Sequence, residues 1–329
     1  MDRITLLNHI QGLPLNPPRP VAPLDPAKVA AALPAYERTP YRTTVAVLDS
    51  GVARHWYVRD QLYPVGGADD ATEQWDLAEA VLPRQIGHGT FVAGVVRQYA
   101  PYASILARRV IDRDGESHDQ MLAAAIRELV DYSPDVLNLS LGPGRHADEE
   151  DAATPTPQTA AAIARLQDVC GTIVVIAAGY RNDLWPQVEL AAPGERTVIV
   201  GAWDPAAERR AGFSDDRDVE IWAPGVGVVS SFLYWEGLVE LGTTDDAAEP
   251  GVAAESPRLR FDGWARWDGT SFAAPAVSGA IAAAIGAGCS QRTPHERRLV
   301  GLEEVRDAAK TIDGDRVLAA SPTLPLPPP

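Results

Sequence analysis

Short, unbroken apolar runs punctuate this chain. Thr44–Leu48 (TVAVL) is the first, and others cover Ala103–Val110, Asp135–Leu139, Thr172–Ala177, Thr197–Gly201 and Val219–Trp222. A strand with one wet face alternates apolar and polar residues, so a continuous run predicts a strand buried on both faces. Between the runs lie stretches with helical spacing. Thr90–Gln98 follows a glycine-rich turn, His118–Asp131 sets Met121, Leu122, Ala125, Ile126 and Leu129 on one face, and Thr159–Val169 is similar. Strands alternating with helices imply right-handed crossovers. The pattern therefore predicts an α/β fold, a three-layer sandwich with a mostly parallel central sheet flanked by helices.

The pattern is different at both ends. Residues 1–40 are rich in proline (Pro14, Pro17, Pro18, Pro20, Pro23, Pro26, Pro34, Pro40), with one short helical window near Pro26–Leu33. Such a stretch resists packing and reads as an extended arm. A body over 41–290 follows, interrupted by acidic or polar insertions near 143–158 and 232–266. Residues 291–329 read as a C-terminal helix and a proline-rich tail ending SPTLPLPPP.

Charge narrows the function. The formal net charge is −16, the only lysines are Lys28 and Lys310, and the arginines are scattered among acids. Phosphate binding needs clustered cations, so nucleic acid is excluded as a partner. Cys170 and Cys289 each adjoin an apolar segment and read as near-core thiols; a single long-range disulfide is the alternative, and no disulfide framework is implied. The opening MDRITLLNHIQGLPLNPPRP has an acid at position 2 and no basic segment before a long apolar one. The longest apolar stretch, Ala273–Cys289, is short and rich in Ala and Gly. The expectation is a cytoplasmic protein that does not engage a membrane.

Three segments carry candidate chemistry. Asp49 closes the first apolar run (VAVLDSG), where open α/β folds place their sites, although a lone acid there could simply cap a turn. His88 lies in GHGTFVAG, flanked by glycines at a helix start, and Ser271 lies in GTSFAAP before the small-residue run Ala276–Ala287. A serine at a helix N-terminus has backbone N–H groups at hand for a developing oxyanion.

Together these segments resemble the subtilisin-like serine peptidase (subtilase) family, whose motifs read approximately D-[ST]-G, H-G-T-x-V-A-G and G-T-S-x-A-x-P, in that chain order. The resemblance covers about Thr43 to Gly288. It implies Ser271 as nucleophile, His88 as general base and then acid, and Asp49 as the group that orients the imidazole. It also implies that Ser140, Leu141 and Gly142 line one side of a peptide-binding cleft and Ala177, Ala178 and Gly179 the other, with substrate adding a strand by main-chain hydrogen bonds. The substrate would be a peptide or protein, a regulatory protein partner is compatible with a restrained protease, and no cofactor is required.

One departure from the family pattern stands out. Where the family places an asparagine that donates to the oxyanion, this chain has Tyr180. Tyr180 could donate its hydroxyl, Asn182 could swing in, or the hole could rest on backbone N–H groups near Thr270 and Ser271. The third case leaves a slow enzyme or a catalytically silent binding module. The segment holding Trp235, Asp245, Asp246, Glu249, Trp264 and Trp267 reads either as a lid or exosite or as a decorated loop. The acids Asp148, Glu149, Glu150 and Asp151 hint at basic residues in the substrate. Calcium is an optional ligand of Asp69, Asp70, Glu73 and Asp76. Some intracellular members of the family use a short N-terminal extension as an inhibitor, so residues 1–35 are expected to lie across or near the cleft.

Overall fold

A computed structural model describes residues 3–6, 18–32, 41–73, 81–82, 86–112, 116–143, 156–180, 194–239, 258–287 and 292–319. Asp76, Asp148, Glu149, Glu150, Asp151, Asn182, Asp245, Asp246, Glu249, Cys289 and the SPTLPLPPP tail lie outside these residues.

The N-terminal segment supplies β1 (Arg3–Leu6), β2 (Arg19–Pro20) and α1 (Pro26–Ala32). The body then runs β3 (Thr44–Asp49), β4 (Leu62–Pro64), α2 (Ala68–Ala71), β5 (Val81–Leu82), α3 (His88–Tyr99), β6 (Ser104–Arg109), β7 (Glu116–His118) and α4 (Asp119–Glu128). It continues with β8 (Val136–Leu139), β9 (Leu141–Pro143), α5 (Pro157–Cys170), β10 (Ile173–Ala177), β11 (Thr197–Asp204), β12 (Arg209–Arg210) and β13 (Ile221–Pro224). The last elements are β14 (Val228–Val239), β15 (Arg258–Trp267), α6 (Thr270–Ala287), α7 (Pro294–Ala308), β16 (Lys310–Ile312) and β17 (Asp315–Val317).

The large sheet has the order β16-β17-β13-β11-β10-β8-β3-β6-β4, and every pairing from β4 across to β17 is parallel. Successive strand residues face opposite sides, and the core divides accordingly. Val45, Val47, Ile105, Val136, Val175 and Val200 pack with α3 and α6, while Ala46, Leu48, Leu106, Leu137, Val174 and Ile176 pack with α4 and α5. The strands are apolar on both faces because both faces are covered. Burying each such Val, Leu or Ile is worth about 1.5–3 kcal/mol. α6 is long and apolar enough to cross a membrane, but most of it lies inside the core.

Within the stretch read as an insertion over 232–266, the described residues belong to two paired strands. β14 and β15 are antiparallel from Val228↔Trp267 to Leu238↔Arg258, with an irregularity between Ser231 and Tyr234. β2 adds to β15 and β5 adds to β14, making a second sheet. The chain end beyond α7 also differs from a plain tail, because β16 and β17 pair around an Asp313-Gly314 turn with positive φ at both residues.

Candidate active site

β3 marks a change of direction in the sheet. β6 joins β3 on one side, and β8, later in the chain, joins it on the other. A crevice opens outside the C-terminal ends of strands at such a point. Asp49 ends β3 and Ser140 follows β8, so both stand at its rim.

His88 opens α3 and is fully buried. Its Nδ1 lies 2.8 Å from Asp49 Oδ1. The glycines beside it answer to sterics. Gly87 holds φ +88°, and a Cβ on Gly89 would lie 2.1 Å from the Gly51 carbonyl oxygen and 3.1 Å from the Asp49 side chain. No larger residue at position 89 lets the Asp49 loop approach so closely. His88 Nε2 and Asp49 Oδ2 are buried with no hydrogen-bond partner among the described residues. The imidazole is walled by Phe272 and Trp267, with ring centroids 5.3 and 5.9 Å away.

Ser271 is the second residue of α6 and is buried. Its hydroxyl donates to the Ser140 carbonyl at a long 3.4 Å. Pro275 lies four residues on, inside the helix. Proline has no N–H, so the Ser271 carbonyl lacks its usual helical donor. The Ser140 hydroxyl donates to that carbonyl instead, at 2.8 Å. Asn138 Nδ2 donates to Ser140 Oγ at 3.0 Å, and Ser278 Oγ donates to Asn138 Oδ1 at 2.9 Å. The proline of GTSFAAP thus frees a carbonyl through which β8 and α6 are tied together.

Three strands lie side by side next to Ser140. β9, holding Leu141 and Gly142, pairs with β1 in antiparallel register (Ile4↔Pro143, Thr5↔Gly142, Leu6↔Leu141). β1 pairs on its other side with β7 (Arg3↔His118, Ile4↔Ser117, Thr5↔Glu116). The N-terminal segment therefore lies between the two strand edges, running toward Ser140 and Ser271. Ala177 and Ala178 end β10, and Gly179 turns with φ +82°. Thr270 Oγ1 accepts from the Gly179 N–H at 3.2 Å, drawing this side to the start of α6. Tyr180 is buried against Phe213, with its hydroxyl beside Gly269, where a Cβ would lie 3.3 Å away.

Asp70 accepts from the Gly67 N–H at 3.1 Å and pairs with Arg108 at 2.8 Å, while Glu73 turns inward to the Asp49 loop. Of the acids considered for calcium, Asp70 and Glu73 thus hold different partners, and no group of three or more candidate metal ligands occurs among the described residues. The tryptophans do fix the long hairpin to the body. Trp264 packs with His55, Trp56 and Tyr57, and Trp267 contacts Phe91 and Phe272.

The family model for the subtilase family (Peptidase S8) matches residues 42–311. The chain belongs to the subtilase family. Among curated proteins it is 31% identical over 237 residues to a thermophilic serine proteinase of a Bacillus species, covering 67% of this chain and 52% of that protein. It is 27% identical over 202 residues to subtilisin DY of Bacillus licheniformis, covering 57% of this chain and 66% of that protein. The chain thus spans between about half and two thirds of the length of these relatives. The fold agrees with a cold-adapted subtilisin-like serine proteinase of known crystal structure, at 21% identity and a TM-score of 0.56, covering 92% of each chain.

Proposed function

We propose that this subtilase is a serine endopeptidase that hydrolyses peptide bonds through an acyl-enzyme. The observation that carries the reading is the buried 2.8 Å contact of Asp49 with His88 Nδ1. Among the described residues it leaves the imidazole's other nitrogen unpartnered, in the same crevice that Ser271 enters from α6. In this reading Asp49 accepts a hydrogen bond from Nδ1–H and fixes the tautomer, so that Nε2 is a base. Ser271 Oγ gives up its weak hydrogen bond to Ser140 and passes its proton to Nε2 as it attacks the substrate carbonyl. His88 then returns that proton to the leaving amine. The Ser271 N–H, in a first helical turn that lacks intrahelical acceptors, faces the developing oxyanion. The chemistry requires no cofactor.

Labelling wild type and Ser271→Ala with a fluorophosphonate tests this directly. Wild type alone is expected to label. Labelling of neither protein would move the chain to a catalytically silent binding module.

A second element of the proposal is restraint. β1 fills the strand position that an extended peptide needs, between β7 and β9, and runs N-to-C toward Ser271 as the acyl side of a substrate would. The N-terminal segment then limits access to the cleft, and a partner or a processing step that withdraws it would release activity. Restricted proteolysis of peptide or protein substrates in the cytoplasm fits such an enzyme, since a protease sharing a compartment with its cell's proteins needs a restraint.

A further inference from the structure

Asp49 and His88 belong to two separate segments, and their mutual contact is short and buried. A third segment reaches between them. Glu73, which follows α2, is buried and sends both carboxylate oxygens into the loops that carry the pair. Oε1 accepts from Ser50 Oγ at 2.9 Å and from the Gly87 N–H; Oε2 accepts from Thr90 Oγ1 at 2.9 Å. Each hydroxyl is a relay. Ser50 Oγ accepts from the Gly89 N–H at 3.1 Å, and Thr90 Oγ1 accepts from the Ala53 N–H at 2.8 Å. Ser50 is next to Asp49, and Gly87 and Gly89 flank His88. One carboxylate thus holds the residues on both sides of the histidine to the residue after the aspartate.

Packing alone does not account for an acid here. Burying a carboxylate away from a cation is costly, and no Lys, Arg or His is among its hydrogen-bond partners in the described residues. The charged group that faces it is Asp49 at the end of β3, with His88 beyond Asp49 at the start of α3. We infer that Glu73 is a positioning residue of the active site, clamping the Asp49 loop to the His88 turn so that the two side chains stay aligned for proton transfer. The catalytic consequence rests on the peptidase reading; the clamp itself does not.

Burial pushes the Glu73 carboxyl up to about 8, opposed by its three hydrogen bonds and reinforced by the Asp49 charge. Above that pH the carboxylate accepts all three donors and adds a negative charge beside the pair. The folded value exceeds the ordinary 4.5. The stability Glu73 contributes through its proton is therefore present below about 4.5 and lost as pH rises through about 8. A neutral glutamine is thus tolerated best in alkaline solution.

The test compares full-length wild type, Glu73→Gln and Ser50→Ala between about pH 6 and about pH 10, following fluorophosphonate inactivation rate, kcat and KM on a peptide. It also follows the downfield NMR resonance of the His88 Nδ1 proton. Glu73→Gln is expected to lower inactivation rate and kcat by up to about 100-fold with KM little changed. It should also erase the wild-type ionisation near pH 8 and broaden the Nδ1 resonance. Ser50→Ala, which removes one relay, should move the same quantities less and serves as the probe if Glu73→Gln does not fold. A folded variant with wild-type rate, pH profile and resonance overturns the clamp. If wild type itself fails to react with the fluorophosphonate, the peptidase reading falls, and the resonance in wild type and variant still decides the clamp.

Discussion

Tyr180 stands where the family motif leads one to expect an asparagine, and its side chain goes somewhere an asparagine could not reach. The ring packs on Phe213 and the hydroxyl arrives beside Gly269, two residues before Ser271. Tyr180→Phe keeps the ring and removes only the hydroxyl. We expect kcat to fall by about 100- to 1000-fold with KM nearly constant, the usual cost of an oxyanion donor. A loss of stability alone would leave the oxyanion to the Ser271 N–H. Residues at this scale differ in how legible they were. Asp49, His88 and Ser271 stood out through motifs that resemble the subtilase pattern, and the structure gives neighbours such as Gly89 and Pro275 a physical reason. Glu73 did not, since an acid in the acidic stretch from Asp69 to Asp76 reads the same whether it faces water or the core. The direction is set by where residues 66–73 fold, and no local periodicity encodes that.

The central sheet was legible because each buried strand must be apolar on both sides, and the helices because one face repeats. The elements at its margins were not. β14 carries serines at 230 and 231, a polar pair that breaks any apolar run. Both hydroxyls bond to α3, Ser230 to the Phe91 carbonyl at 2.7 Å and Ser231 to the Thr90 carbonyl at 3.0 Å, so the hairpin backs the histidine helix. The β16–β17 hairpin does carry a signal: Asp313-Gly314 between two short apolar-containing runs is a strong hairpin mark. β1 had none, because a strand made by pairing with two foreign edges needs no pattern of its own. Its expected placement across the cleft came from resemblance, and pairing on both sides supports it. Deleting residues 1–16 tests the restraint while keeping α1, whose Val29 is buried in the core along with nearby Leu24. We expect kcat/KM on a peptide to rise on the order of tenfold, since a tethered strand competes at a high effective concentration. Unchanged turnover would mean that β1 is a surface strap.

At the scale of the whole molecule, the sheet holds its chemistry at one end and a buried charge pair at the other. The catalytic candidates sit at the C-terminal ends of β3 and β8, whereas Asp135 and Thr44 lie at their N-terminal ends. Arg298 of α7 reaches in there, with Nε 2.8 Å from Asp135 Oδ1, and donates to the carbonyls of Ser133 and Cys170. Asp135 also accepts from the Thr44 N–H at 2.9 Å and the Tyr41 hydroxyl at 3.0 Å. One arginine thereby fastens the C-terminal helix to the entrances of β3, β8 and β10. Arg298→Met would leave a buried carboxylate without its cation, and we expect a loss of about 3–5 kcal/mol in denaturant unfolding. Adding Asp135→Asn removes the stranded charge yet keeps an acceptor oxygen for Thr44, so the double variant should recover part of that loss. Because the pair lies at the far end of the sheet from Ser271, the folded fraction of either variant should label with fluorophosphonate at the wild-type rate. A slowed rate would instead mean that the N-terminal ends of the strands are coupled through the sheet to the geometry of the crevice.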